Sequence, residues 1–107
     1  MELNQYEIVL VDLNPTIGSE MNKTRPCVII SPDDMNHFLN TVTIAPLTSS
    51  SKNYPSRIET NVNSKKGWIA LDQIKTIDKQ RIIKKFEKLN NKEILKLKSV
   101  IKEMFVD

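Results

Sequence analysis

The spacing of apolar residues changes near the C-terminus, and that change limits what this chain can fold into. Up to Leu89 the apolar residues come in short runs of strand character, punctuated by Pro, Gly, Asn and Asp. From Lys92 onward they fall at Ile94, Leu97, Val100, Ile101, Met104 and Phe105, a helical stripe. Asn90 is placed to cap this helix, and Glu93 three residues later completes capping-box spacing. Packing on the sheet is expected from Ile94, Leu97, Ile101 and Met104, with the lysines between them facing water. Short strands followed by one terminal helix argue for a small, strongly curved sheet or barrel with the helix laid on it, a mainly β fold of the α+β class. At 107 residues the chain is expected to form a single domain, 1–107, with one modest core.

The expected strands run from Glu7 to Leu13, Pro26 to Ser31, Thr41 to Leu47, Arg57 to Thr60, Trp68 to Asp72, Gln73 to Ile77 and Ile82 to Leu89. Pro26 to Ser31 is largely apolar and is expected to be covered on both faces. A turn or short helix follows Pro32, with Asp33 able to cap it. Asn61 to Lys66 is a polar, hairpin-like connection closed by Gly67, and Thr48 to Ser56 is a polar loop. Cys27 is expected to be a buried small apolar residue, His37-Phe38 a half-buried pair, and Trp68 a core or subunit contact rather than a base platform.

Most enzyme chemistries are hard to assemble from these residues. The single histidine, His37, rules out a pair of histidines sharing acid and base roles within one chain. There is no HExxH, no CxxC and no His–Cys cluster for zinc, and Asp33-Asp34 is a lone acidic pair in a turn, so no metal is expected. Two glycines are too few for a P-loop or a dinucleotide fingerprint, and no Gly-x-Ser-x-Gly elbow exists, so no cofactor is expected either. The formal charge of +3 is compatible with nucleic acid or an acidic partner. The N-terminus has no basic head and apolar run, and no apolar stretch is long enough to cross a bilayer, so the expected location is the cytoplasm.

The segment from Asn14 to Pro32 offers a site. It turns through Gly18, carries Glu20 and Lys23, and delivers Arg25 immediately before Pro26, which pushes the Arg25 backbone toward extended geometry. A guanidinium held this way suits a carboxylate or phosphate, which it grips with two parallel hydrogen bonds. A metal-free set of arginine and hydroxyls suits a substrate that brings its own nucleophile, as RNA does with the 2′-hydroxyl beside each phosphate. Arg25 would stabilise charge on the phosphorane, and Thr48 would donate to a non-bridging oxygen.

The order Asp12-Leu13-Asn14-Pro15, Gly18-Ser19-Glu20, Arg25-Pro26, Ser31-Pro32, Pro46-Leu47-Thr48, Tyr54-Pro55 and Asp72 to Asp78 resembles the MazF/PemK family of toxin endoribonucleases over nearly the whole chain. The resemblance implies an SH3-like barrel with a C-terminal helix, as also found in CcdB toxins, and a homodimer. It further implies sequence-specific, metal-independent cleavage of single-stranded RNA, and a cognate antitoxin that lays an acidic segment over the RNA groove. It puts the catalytic arginine on Arg25 and the catalytic threonine on Thr48, with Glu20 and Asp72 as supporting residues. Some PemK members pair an acid at the position of Asp72 with an arginine two residues earlier. This chain has Ala70 there, which favours the arginine–threonine version. Asn14, Thr16, Lys23, Ser49, Lys52, Tyr54 and Gln73 are the expected RNA contacts, with Lys52 near phosphate and Tyr54 available to stack.

Two other classes fit the barrel. One is a CcdB-like toxin that inhibits gyrase by binding, against which the chain end Met104-Phe105-Val106-Asp107 speaks because the Trp-Gly-Ile end of that mechanism is missing. The other is a barrel that binds RNA or a partner without cleaving it; the presence of both Arg25 and Thr48 speaks against that.

Overall fold

A computed structural model describes residues 2–14, 17–19, 23–50 and 54–106 of the chain. Among the described residues, seven strands form a curled antiparallel sheet, and of two α-helices the C-terminal one packs on it. The strands are β1 (Glu7–Asp12), β2 (Thr24–Ile29), β3 (Thr41–Thr48), β4 (Arg57–Val62), β5 (Lys65–Ala70), β6 (Lys75–Asp78) and β7 (Ile82–Lys88). A short helix, α1 (Asp33–Phe38), links β2 to β3, and α2 (Asn91–Phe105) closes the chain. The strand order is β4-β5-β3-β2-β1-β7, with β6 also paired to β3. Among the described residues no helix is long and apolar enough to cross a membrane.

β3 is the shared strand. Its first half pairs with β6 from Thr41 opposite Asp78 to Ile44 opposite Lys75. Ile44, Ala45 and Pro46 pair with Ile29, Val28 and Cys27 of β2, and Leu47 and Thr48 pair with Ile69 and Trp68 of β5. Alternation along β1, β2 and β3 sends residues to two separate clusters. Ile8, Val28, Ala45 and Leu47 join Ile58, Ile69 and Leu97 in one, while Val9, Val11, Cys27, Ile29 and Ile44 join Leu3 and Ile77 in the other. β2 is thus covered on both faces, as its unbroken apolar run predicts.

The helix start is fixed by the capping box read from the sequence. The Asn90 side chain accepts from the Glu93 amide at 2.8 Å, and Glu93 Oε1 accepts from the Asn90 amide at 2.9 Å. The other oxygen of Glu93 accepts from the buried hydroxyl of Thr60, which ties the helix N-terminus to β4. The lysines of α2 face water.

Several expectations need correction. β2 begins at Thr24, two residues earlier than predicted, because Arg25 and Pro26 continue the ladder opposite Val11 and Leu10. The α1 cap position belongs to Pro32; Asp33 lies inside the first turn and accepts from the Gln5 amide at 2.7 Å. The β4–β5 connection is shorter than expected: only Asn63 and Ser64 make the turn, both with left-handed φ (51° and 64°), so the strands run on to Val62 and from Lys65. β5 stops at Ala70 and Leu71–Gln73 is a 3-10 turn. His37 and Phe38 are exposed, Phe38 at 87%, because α1 turns its buried side chain, Asn36, toward Ser31. Met104 is exposed because the core that α2 covers reaches only to Val100 and Ile101. Trp68 is half-buried in β5.

These burials set the expected response to truncation. Leu97→Ala is expected to cost about 2–5 kcal/mol, as for other fully buried leucines, and Met104→Ala to stay within about 0.5 kcal/mol. Chemical denaturation of the two variants checks this; equal effects would mean that the helix packs differently.

Candidate active site

The ladder between β2 and β3 ends at Cys27 opposite Pro46. Pro26 has no N–H to give toward β3, so regular pairing does not continue past it. The same register carried two residues further faces Arg25 with Thr48. Both line one cleft of about 450 Å³, together with Lys23, Ser49, Lys65 and Lys66. This volume lies in the range of small-molecule sites. Arg25 is half-buried, and its Nη1 donates to the carbonyl of Leu47 at 3.4 Å, reaching across the end of the ladder to the residue before Thr48.

The Thr48 hydroxyl donates to the Ser50 carbonyl at 3.0 Å and accepts from the Ser50 amide at 3.5 Å. Its proton is committed to this local turn, so donation to a substrate oxygen requires that bond to be exchanged. Gly67 of β5 forms part of the floor: a Cβ there would sit 3.4 Å from the Thr48 carbonyl and 3.6 Å from Leu47 Cδ2. A side chain at this position would crowd the strand that presents Thr48.

Lys23 enters the cleft from a strained backbone, φ 72°, a region that side-chain-bearing residues seldom adopt. The strain is held by its neighbours. The Lys23 amide donates to Asn14 Oδ1 at 2.9 Å, and the Leu13 amide donates to the Lys23 carbonyl at 3.1 Å. Arg81 closes the same loop root by donating to the carbonyls of Asp12 and Asn14. Asn14, expected to touch RNA, is therefore outside the cleft and spends its side chain holding Lys23 in place.

The other expected residues separate from this cluster. Ser49 lines the cleft, whereas Tyr54, Asp72 and Gln73 do not. Tyr54 is half exposed with the Arg57 guanidinium 5.5 Å from its ring centroid. Thr16, Glu20 and Lys52 lie outside the described residues. Cys27 is fully buried and burial pushes its thiol up to about 12, so it is no nucleophile at neutral pH.

Asp72 has a partner that the sequence did not suggest. Arg57 Nε donates to its Oδ1 at 2.8 Å and Arg57 Nη2 to its Oδ2 at 3.1 Å, a two-pronged pair, while Ser56 Oγ donates to Oδ1 at 3.0 Å. Arg57 stands directly across the sheet from Ala70. Arg57 thus reaches Asp72 from the neighbouring strand. Only the β4–β5 register makes this visible. Lys65, Lys66, Asn63 and Phe86 also line the cleft without having been singled out as site residues. The basic pair was legible, but it read as part of a loose connection.

The hydrogen bonds from Arg57 hold the Asp72 carboxyl down, from 3.8 to about 2. A depressed carboxyl adds stability that is complete above its ordinary range and is lost as pH falls through the folded value. The melting temperature of Asp72→Asn is expected to lie below that of the parent at neutral pH, with the gap closing between about pH 4 and about pH 2. The gap is modest because the Asp72 side chain is 35% exposed and water screens the pair. A pH-independent gap would remove the ion pair as its cause.

Known proteins match this chain along nearly its whole length. The family model described as PemK-like, MazF-like toxin of type II toxin-antitoxin system matches residues 4–105. The chain is 33% identical over 105 residues to the endoribonuclease MazF of Staphylococcus saprophyticus, covering 92% of this chain and 88% of that protein. It is 31% identical over 97 residues to the endoribonuclease EndoA of Bacillus subtilis, covering 85% and 84%. In structure it superposes on MazF from Deinococcus radiodurans with a TM-score of 0.86 at 18% identity, over 97% and 96% of the two chains. A mycobacterial endoribonuclease in complex with its cognate antitoxin aligns with a TM-score of 0.80 at 16% identity, over 94% and 92%. With the matched sequence and the matched fold running through the same residues that build the cleft, this chain belongs to the PemK/MazF family of type II toxin–antitoxin toxins.

Proposed function

We propose that this chain is a cytoplasmic endoribonuclease toxin that cuts single-stranded RNA at specific sequences without a metal, working as a homodimer under the control of a cognate antitoxin. The observation that carries the reading is the cleft itself: Arg25 and Thr48 face each other across the end of one ladder, beside Lys23, Lys65 and Lys66. None of the described lining residues is acidic. Four cations along one cleft, of which Lys66 also pairs with Glu59 outside its lining, make a site for a polyanion. The endoribonuclease relatives, and the neighbour in complex with its cognate antitoxin, support the same reading. An antitoxin segment rich in Asp and Glu would occupy this cleft by the charge that draws in RNA.

In the reaction, the 2′-oxygen of the substrate attacks the adjacent phosphorus and the bond from phosphorus to the 5′-oxygen breaks. The 2′-hydroxyl loses a proton and the departing oxygen gains one, leaving a 2′,3′-cyclic phosphate and a 5′-hydroxyl. A guanidinium is a poor proton acceptor, so Arg25 acts as the clamp on the phosphorane rather than as a base. Its placement beside the Leu47 carbonyl aims it at the lip that carries Thr48. Thr48 gives up its bond to the Ser50 carbonyl and donates to a non-bridging oxygen. Asp72 is engaged by Arg57 and lies outside the cleft, so its part is to hold the turn after β5.

Arg25→Ala is expected to lower cleavage of a mixed-sequence RNA by at least about 10²-fold while the protein stays folded. Thr48→Val is expected to slow turnover with RNA binding nearly intact. Excess EDTA is expected to leave cleavage unchanged, and a 2′-deoxy nucleotide at the cut site to abolish it. Mapping the fragment ends and identifying their phosphates checks all of this. Folded protein that cuts no RNA would refute the reading and direct attention to gyrase binding.

A further inference from the structure

The cleft extends well beyond Arg25 and Thr48. Past Gly67 it is lined by Val62 and by Asn63 of the β4–β5 turn, and Phe86 of β7 also lines it. This end has its own chemistry. Asn63 is exposed at the first turn position, with φ 51°, and asparagine is among the few residues that accept left-handed geometry. Its amide carries both donors and an acceptor, the pattern needed to pair with the edge of a base. Phe86 is half-buried against the core and offers an apolar surface, and Lys84 Nζ lies 5.2 Å from its ring centroid. Lys65 and Lys66 stand between the turn and the catalytic lip, with Lys66 in an exposed ion pair with Glu59 at 3.2 Å.

A phosphate held at Arg25 and Thr48 places its neighbouring nucleotide within reach of the same open cleft. An apolar floor, an amide at the rim and cations on the path are what a single base with its following phosphate requires. We infer that the part of the cleft lined by Asn63 and Phe86 is a base-selecting subsite, in which Asn63 reads the edge of a nucleotide flanking the cleaved bond and Phe86 packs against that base. The inference rests on the RNA-cleaving reading and deepens it. Both turn residues sit in the left-handed region, and the strands on either side are paired up to the turn, from Val62 opposite Lys65 onward. A two-residue turn between paired strands leaves less chain to order on binding than a long loop would.

The test uses Asn63→Gly, which keeps a residue able to adopt the turn geometry and removes only the amide. Purified parent and variant are given a pool of RNAs randomised around the cut site, and the fragment ends are sequenced. The expected result is a loss of preference at one flanking position by about tenfold or more, with the preferences at other positions kept. On a single preferred substrate the loss is expected mainly in KM rather than kcat. Phe86→Leu is expected to weaken the same position and no other. An unchanged preference profile, or a uniform fall at all positions, would overturn the inference, and thermal melting of both variants separates the latter from misfolding. If the parent cuts no RNA, the cleavage reading fails by itself. Anisotropy titration with short single-stranded RNAs of varied sequence then decides the subsite: sequence-selective binding that Asn63→Gly flattens retains it as a binding pocket, and equal affinity of parent and variant discards it.

Discussion

The site depends on where one ladder of hydrogen bonds stops. β2 and β3 pair from Ile29 opposite Ile44 to Cys27 opposite Pro46, and then Pro26 of β2 withholds the next donor. β3 turns to a different partner, β5, for its last two residues. The opening left between the strand ends is the cleft, and its two lips are the residues that follow each proline outward: Arg25 before Pro26 and Thr48 after Pro46-Leu47. The cleft and the juxtaposition of Arg25 with Thr48 therefore share one cause. The two core clusters brace the strands on both faces, so the end of the ladder sits on a rigid base.

Charge is sorted with equal economy. No described residue lining the cleft is acidic, Glu59 meets Lys66 from outside it, and the nearby acid on the 3-10 turn, Asp72, is engaged by Arg57. Arg57 also lies against the Tyr54 ring and donates its backbone amide to the Tyr54 carbonyl at 3.1 Å. The pair thus anchors the end of the β3–β4 connection rather than competing with substrate. Asn14 and Arg81 do the equivalent at the root of the β1–β2 connection, holding Lys23 in a backbone conformation it would not choose.

The contacts least legible in the sequence were those between residues distant along it. Asp72, expected as a supporting residue, meets Arg57 fifteen positions away only through the β4–β5 pairing. Asn14, expected as an RNA contact, also accepts from the Lys23 amide nine positions on. Asn63 passed unnoticed because a polar tract reads as a loop until the strands beside it are known to reach so close. Met104 obeyed the helical period and still missed the core, since period fixes a helix face but not how far the sheet extends beneath it.

The sequence by itself determined the strands and their change to a helical stripe, the capping box at Asn90 and Glu93, the double-sided burial of β2, and the candidate pair Arg25 and Thr48. Each of these is written in neighbouring residues, through period, proline and hydroxyl placement, and so survives without coordinates. Tertiary structure alone decided which residues share the cleft, that Asp72 is engaged by Arg57, and that the β4–β5 turn lines the site. Those outcomes depend on strand register, and register is set by the packing of the whole sheet rather than by any one segment of it.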